Sequence, residues 1–111
     1  MKTMLFIGLM LVSGLAMAQK TAKTDTIYIH TSALCGDCKD RIESALNYQK
    51  GVKFAELNLE TKIAMAVYKP KKVKPETLRF AISEAGYDAD EVKANPASVK
   101  RLPKCCQPNG H

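Results

Sequence analysis

The chain has 111 residues, which is enough for one small domain but not for two. It carries 17 Lys and Arg against 11 Asp and Glu, giving a formal net charge of +6, and it has no tryptophan. The lysines are spread along the chain, and their one cluster, at residues 69–74, is typical of a solvated loop. Because basic residues are not interleaved with aromatic ones, the composition argues against a nucleic-acid partner.

Residues 1–18 have the three-part layout of a secretory signal. Lys2 gives a positive start, residues 4–12 are largely apolar, and Ala16-Met17-Ala18 is a small-x-small cleavage site. The apolar run is too short to span a bilayer comfortably, which argues against the alternative of a retained membrane anchor. We therefore expect export to the periplasm or the extracellular space, and a mature chain that does not span a membrane.

The first elements of the mature chain follow from residue periodicity. Residues 19–24 are polar and are expected to form a flexible lead-in, and residues 25–30 (DTIYIH) predict a first strand. From Cys38 the spacing of apolar residues becomes helical, and Gly51 is expected to end this helix. Its predicted buried stripe consists of Cys38, Ile42, Ala45, Leu46 and Gln49.

Residues 52–59 and 63–68 predict two further strands, joined by a turn. Pro75 suits the first turn of a second helix, which Gly86 is expected to cap. A short, polar edge strand is then predicted over residues 87–92. The remaining residues, 93–111, are rich in proline and are expected to form an irregular tail that contains two cysteines.

This order of elements is β-α-β-β-α-β over residues 25–92. Two β-α-β units that share one antiparallel sheet make a ferredoxin-like sandwich. The sequence therefore predicts an α+β fold with a four-stranded antiparallel sheet and two helices on one face.

A CxxC motif, Cys35-Gly36-Asp37-Cys38, lies where the first loop ends and the first predicted helix begins. The unpaired backbone N–H groups and the positive dipole at a helix start stabilise a thiolate. Two paired thiolates are soft ligands and favour Cu(I), Zn(II), Cd(II) or Hg(II) over hard ions. We expect Cys35 and Cys38 to bind such a metal ion.

The segment from Ser32 to Glu43 (SALCGDCKDRIE) resembles the metal-binding loop and first helix of heavy-metal-associated domains. This family includes copper chaperones, periplasmic mercury-binding proteins and the amino-terminal modules of metal-pumping ATPases. The resemblance continues through Gly51-Val52, Pro75 and Gly86-Tyr87. One position departs from the family pattern, because Ala33 stands where the family usually has a methionine that packs under the loop.

The resemblance implies reversible binding of a thiophilic ion by Cys35 and Cys38, with Cu(I) as the first expectation and Zn(II), Cd(II) and Hg(II) as alternatives. It also implies transfer of the ion by thiolate exchange, through transient docking on a metal-transporting membrane protein or another metal acceptor. Basic residues near the motif, such as Lys39, Arg41 and Lys62, are candidates for guiding such a partner.

The second cysteine pair, Cys105-Cys106, lies in the tail. Adjacent cysteines rarely bridge each other, because the geometry is strained. The tail reaches about 45 Å when extended, which is enough to fold back to the CxxC motif. Three alternatives stay open. Cys105 and Cys106 are additional metal ligands, they form a disulfide with the CxxC that switches metal binding off, or they belong to an independent tail that is disordered or pairs with another chain.

Other polar residues near the motif have ordinary explanations. Tyr87 is either a shield over the metal or a core residue, and Asp37 is expected to be a solvated loop residue. His30 is expected to be a plain strand residue, and His111 an incidental ligand at most.

The sequence favours a binding protein over an enzyme, because it contains no Ser/His/Asp set and no glycine-rich phosphate loop. The main competing class is a thiol-disulfide oxidoreductase, since a CxxC at a helix start also suits redox chemistry. The absence of tryptophan and the Gly36-Asp37 pair between the cysteines count against it. A metal-responsive interaction module that acts through Cys105 and Cys106 is a third possibility.

Overall fold

A computed structural model describes residues 23–108, so the predicted secretory signal, most of the lead-in and His111 lie outside the described residues. Across residues 23–108, no helix combines the length and the apolar character needed to cross a bilayer. The elements are β1 (Asp25–His30), α1 (Gly36–Asn47), β2 (Val52–Asn58), β3 (Ile63–Tyr68), α2 (Pro75–Glu84), α3 (Pro96–Lys100) and a final 3-10 helix (Lys104–Cys106).

The three strands form one antiparallel sheet in the order β1-β3-β2. Ala64 of the central strand β3 pairs with Ile29 on one side and with Leu57 on the other. Because successive side chains of a strand point to opposite faces, β3 buries alternate residues, namely Ala64, Ala66 and Tyr68.

The helices α1 and α2 cover one face of this sheet, and their apolar stripes fill the core. The opposite face leaves Tyr28 and Phe54 exposed. The prediction of a small α+β fold with an antiparallel sheet and helices is confirmed. The largest buried side chains of the two layers are Ile29, Ile42, Leu46, Leu57, Leu78, Ile82 and Tyr87.

Both helices are followed by the predicted glycines. Gly51 has φ +96° and Gly86 has φ +106°, a left-handed conformation that side chains with a Cβ rarely adopt. A Cβ on Gly86 would also lie 2.9 Å from the Cδ1 atom of Leu102. The chain therefore turns sharply at Gly86, and the tail packs directly on this turn.

The predicted fourth strand over residues 87–92 is wrong for this structure. Ala89 makes isolated bridges to Thr31 and Val92, and Asp90 has φ +53°, so the chain turns instead of extending along β1. The Asp90 side chain takes the place of a strand partner for His30. Its Oδ1 accepts a hydrogen bond from the N–H of His30 at 2.9 Å, and its Oδ2 accepts one from the Nε–H of Arg79 at 2.9 Å.

The tail after residue 92 is not irregular as expected. Asn95 caps α3 by accepting the N–H of Ala97 at 2.9 Å, and Pro96 occupies the first turn of α3, where its missing N–H costs nothing. Leu102 then enters the core with only 6% of its surface exposed. The described tail is thus a folded strap, defined here as residues 95–106.

The ion pair of Asp90 gives a prediction about acid stability. Burial opposes ionisation of this carboxyl, but the His30 N–H and the Arg79 guanidinium outweigh it and hold its pKa below the usual range. A lowered folded pKa contributes stability above the unfolded pKa of about 4, and this contribution is lost as the pH falls through the folded value. Asp90→Asn should lower the free energy of unfolding at pH 7 by about 1 to 2 kcal/mol and flatten its loss below pH 5.

The measurement is urea denaturation at several pH values. Glu91→Gln changes an exposed carboxyl one residue away and serves as the matched control, with an expected change below about 0.5 kcal/mol. Equal stabilities and equal pH slopes for the two variants would contradict the role assigned to Asp90.

Candidate metal centre

The loop between β1 and α1 is pinned at both sides. The N–H of Thr31 donates to the carbonyl of Lys62 at 2.9 Å, and the N–H of Asp88 donates to Oγ of Ser32 at 2.9 Å. The turn before β3 and the segment after Gly86 therefore lie at the same end of the sheet as the CxxC motif. Sequence reasoning did not single out Thr31 or Ser32, and only their place beside the motif hinted at this role.

Ala33 lies at the position where the family usually has methionine. It is fully buried and belongs to the core under the loop, so it offers no ligand atom. Its N–H donates to Oγ1 of Thr31 at 3.2 Å. Backbone and hydroxyl hydrogen bonds, as well as side-chain packing, thus position the metal-binding loop.

Cys35 and Cys38 lie side by side at the start of α1, with their Sγ atoms 3.4 Å apart. Cys35 adopts an extended conformation just before the helix and is partly exposed. Cys38 is 0% exposed, so only one sulfur of the pair is open to solvent. Access from solvent to the pair therefore runs through Cys35.

The strap brings the second cysteine pair to the first. The Sγ atom of Cys35 is 3.2 Å from that of Cys105 and 3.6 Å from that of Cys106. The Sγ atoms of Cys35, Cys105 and Cys106 all lie within 4.8 Å of one another, close enough to hold one metal ion. The alternative of an independent tail is wrong, and the 3.2 Å separation exceeds the roughly 2.05 Å of a disulfide bond.

The electrostatics of the cluster make Cys35 ionise before Cys105 and Cys106. Burial opposes its ionisation, but hydrogen bonding with the Cys105 thiol and with the backbone N–H of Cys38 lowers its pKa to about 7. Hydrogen bonding with Cys35 in turn raises the pKa of Cys105, and burial strongly raises the pKa of Cys106. The Cys35 thiolate is therefore held beside two thiols, those of Cys105 and Cys106, that keep their protons to higher pH.

Tyr87 closes the inner side of the cluster. It is 1% exposed, and burial raises the pKa of its hydroxyl, which has the thiols of Cys106 and Cys38 as neighbours. This hydroxyl makes no geometrically defined hydrogen bond within the described part of the chain. Tyr87 is thus both core residue and wall of the cysteine cluster, which joins the two roles that the sequence left open.

The remaining candidates lie away from the sulfurs or at the surface. Asp37 is exposed in the first turn of α1, as expected for a solvated residue. His30 is an exposed residue at the end of β1, as expected of a plain strand residue, and its backbone pairs with Asp90. Lys39 forms an ion pair with Glu43, whereas Arg41 and Lys62 are exposed.

The lowered pKa of Cys35 predicts selective alkylation of the reduced, metal-free protein. At pH 7 to 7.5, iodoacetamide should modify Cys35 well before Cys106, and the rate at Cys35 should level off once the pH exceeds about 7, because the thiolate is the nucleophile. Peptide mass spectrometry at several pH values measures both rates. The urea-unfolded chain is the control, in which all four thiols should titrate near 8.5. Equal rates at Cys35 and Cys106 in the folded protein would contradict the prediction.

Comparison with known proteins places this geometry in a family. The sequence model of the heavy-metal-associated domain matches residues 32–88. A copper chaperone, CopZ, of Staphylococcus aureus is 44% identical over 54 residues, which make up 49% of this chain and 79% of the relative. A copper-exporting P-type ATPase of Staphylococcus haemolyticus is 44% identical over 71 residues, 64% of this chain but only 9% of the ATPase.

Solved structures agree with the sequence relatives. A CopZ metallochaperone superposes with a TM-score of 0.57 and 35% identity, covering 59% of this chain and 98% of the other. Oxidized MerP from Ralstonia metallidurans shares the fold, with a TM-score of 0.59 and 23% identity, covering 61% of this chain and 96% of the other. With more than half of its length matched and the CxxC at the start of α1, the chain belongs to the heavy-metal-associated domain family.

Proposed function

We propose that this chain is an exported metal-binding protein that captures a thiophilic ion, with Cu(I) first, and passes it on or sequesters it. The observation that carries the proposal is the pair of sulfurs of Cys35 and Cys38, 3.4 Å apart at the start of α1. The lowered pKa of Cys35 supports it further, because a metal must otherwise displace a proton from each thiol. In this proposal the protein is a metal carrier and not an enzyme.

Cu(I) is favoured over harder ions by the ligands and by the relatives. Thiolates are soft ligands that suit Cu(I), and two of them already satisfy its preference for low coordination numbers. The related proteins named above are a copper chaperone and a copper-exporting ATPase. The proposal carries this specificity over to Cys35 and Cys38.

Exchange of the ion with an acceptor requires one exposed sulfur. Cys35 is the partly exposed member of the pair, so an incoming thiolate would attack on its side. The exposed side chains of Arg41 and Lys62 would favour an acidic docking surface on a metal-transporting membrane protein. Lys39 contributes less to such docking, because Glu43 already neutralises it.

The metal proposal predicts that Cys35→Ser/Cys38→Ser lowers the affinity for Cu(I) by at least about 1,000-fold, since both soft ligands are replaced by hydroxyls. The measurement is titration of the reduced protein with Cu(I) against a competing chelator. Cys105→Ser/Cys106→Ser is the matched control, because it removes two thiols but leaves the CxxC intact, and its affinity should stay within about 10-fold. Unchanged affinity and stoichiometry in the first variant would overturn the proposal.

A thiol-disulfide oxidoreductase is the second candidate, favoured by the pKa of Cys35, which lies close to neutral pH. The same reduced samples decide between the two in an insulin-reduction assay. Turnover that depends on Cys35 and is insensitive to added Cu(I) would favour the redox candidate.

Export is proposed from residues 1–18 and predicts that the mature protein begins at Gln19. The measurement is intact-mass analysis of the periplasmic fraction after bacterial expression of the full chain. Ala18→Asp should block cleavage, because the processing site needs a small residue there, whereas Gln19→Ser should not. Unprocessed wild-type chain in the cytoplasm would contradict export.

A further inference from the structure

We propose that Cys105 and Cys106 join Cys35 and Cys38 as ligands of a single ion, so that the strap converts a two-thiolate site into a four-thiolate site that also retains Zn(II) or Cd(II). This inference rests on the proposed function, because it assumes that the CxxC binds metal. In this inference the strap serves to retain a divalent ion, which the two cysteines of the CxxC alone would hold only weakly.

The distances between the sulfurs fit a tetrahedral ion better than a linear one. Zn–S bonds of about 2.3 Å place two sulfurs of a tetrahedron about 3.8 Å apart, whereas a linear S–M–S unit would hold them about 4.6 Å apart. The Sγ atom of Cys35 lies 3.4 Å from that of Cys38, 3.2 Å from that of Cys105 and 3.6 Å from that of Cys106. Cys105 and Cys106 are 3.9 Å apart. These four separations are close to tetrahedral edges. Only Cys35, Cys105 and Cys106 have all their Sγ atoms within 4.8 Å of one another, so Cys38 would have to move toward the tail sulfurs to become the fourth ligand.

The strap is built into the fold at several points before it reaches the sulfurs. The N–H of Asn95 donates to the carbonyl of Ser83 at 3.0 Å, and Oγ of Ser83 donates to the carbonyl of Lys93 at 2.7 Å. Leu102 packs on Gly86, where a Cβ would collide with it. After the strap, Nε2 of Gln107 donates to the carbonyl of Leu102 at 2.8 Å. These contacts fix where the second cysteine pair lies.

The buried polar groups of the cluster point independently to a ligand. The Tyr87 hydroxyl is buried without a geometrically defined hydrogen bond in the described part of the chain, at a cost that a native fold normally avoids. The thiols beside it are those of Cys106 and Cys38. A metal ion would turn these thiols into thiolates, which are better acceptors for this hydroxyl, so ion binding supplies a partner that the metal-free protein lacks.

Binding by four thiols also explains why divalent ions would gain most. Each cysteine that binds releases its proton to solvent, and the ion exchanges its water ligands for sulfur. Zn(II) and Cd(II) prefer four ligands and lose most of their affinity when two are missing, whereas Cu(I) is already satisfied by two. The strap therefore changes the choice of metal more than it changes the affinity for Cu(I).

The experiment compares Zn(II) and Cd(II) binding by the reduced protein and by Cys105→Ser/Cys106→Ser. The variant should lose at least about 100-fold in affinity for both ions, while its affinity for Cu(I) changes by less than about 10-fold. The thiolate-to-Cd(II) charge-transfer absorbance per bound ion should fall to about half, because it counts the sulfurs. Lys104→Ser, an exposed change next to the pair, is the matched control and should behave like the wild type.

One further variant and one folding check keep the outcome decisive. Leu102→Ala retains all four cysteines but weakens the packing of the strap on Gly86. It should therefore weaken Zn(II) binding and still reach the full charge-transfer intensity at saturation. Circular dichroism of each metal-free variant checks that the domain remains folded.

Each result distinguishes the inference from the proposed function. Equal Cd(II) intensity and affinity in the wild type and in Cys105→Ser/Cys106→Ser would overturn the four-thiolate site and leave the CxxC site intact. One ion shared by two chains, seen as a metal-dependent dimer by size-exclusion chromatography, would also overturn it. Full metal binding by Cys35→Ser/Cys38→Ser would instead overturn the proposed function.

Discussion

The packing of Leu102 on Gly86 is the contact on which the meeting of the second cysteine pair with the first depends. Gly86 is needed twice at this point, because its φ of +106° allows the turn after α2 and its missing side chain leaves room for Leu102. Burying a leucine contributes about 1.5 to 3 kcal/mol, which is comparable with the cost of ordering only a few residues of the strap. The strap is therefore held by a modest free energy, to which bonds from sulfur to a metal would add.

The parts of the fold that follow from local periodicity could be predicted from the sequence, and the parts that depend on single side-chain contacts could not. Gly51 and Gly86 mark the ends of α1 and α2 because a left-handed residue is a local property of the chain. The predicted last strand failed because the Asp90 carboxylate takes the His30 N–H that a fourth strand would have paired. The helix α3 does not follow from composition, because Asn95 and Pro96 are typical of loops, although together they also form a helix start.

The candidate site also has one part that local sequence predicts and another that depends on a long-range contact. The position of Cys35 and Cys38 follows from their spacing and from the helix that begins between them, and both features can be predicted from the sequence. Cys105 and Cys35 meet although seventy residues separate them in the sequence. Chain length shows only that the tail is able to reach the motif, and the contact that selects this conformation, Leu102 on Gly86, has no local signature.

The proposed transfer function and the proposed retention function make opposite demands on the strap. Transfer needs an acceptor thiolate to attack the ion at Cys35, the partly exposed sulfur, yet the sulfurs of Cys105 and Cys106 lie within 3.6 Å of it and would compete with the acceptor for the ion. Cys38 is fully buried, so it offers no second route. Release of the ion to a partner would therefore begin with the strap leaving, and the packing of Leu102 would set how often this happens. In such a protein, the strength of one apolar contact decides between a carrier and a store.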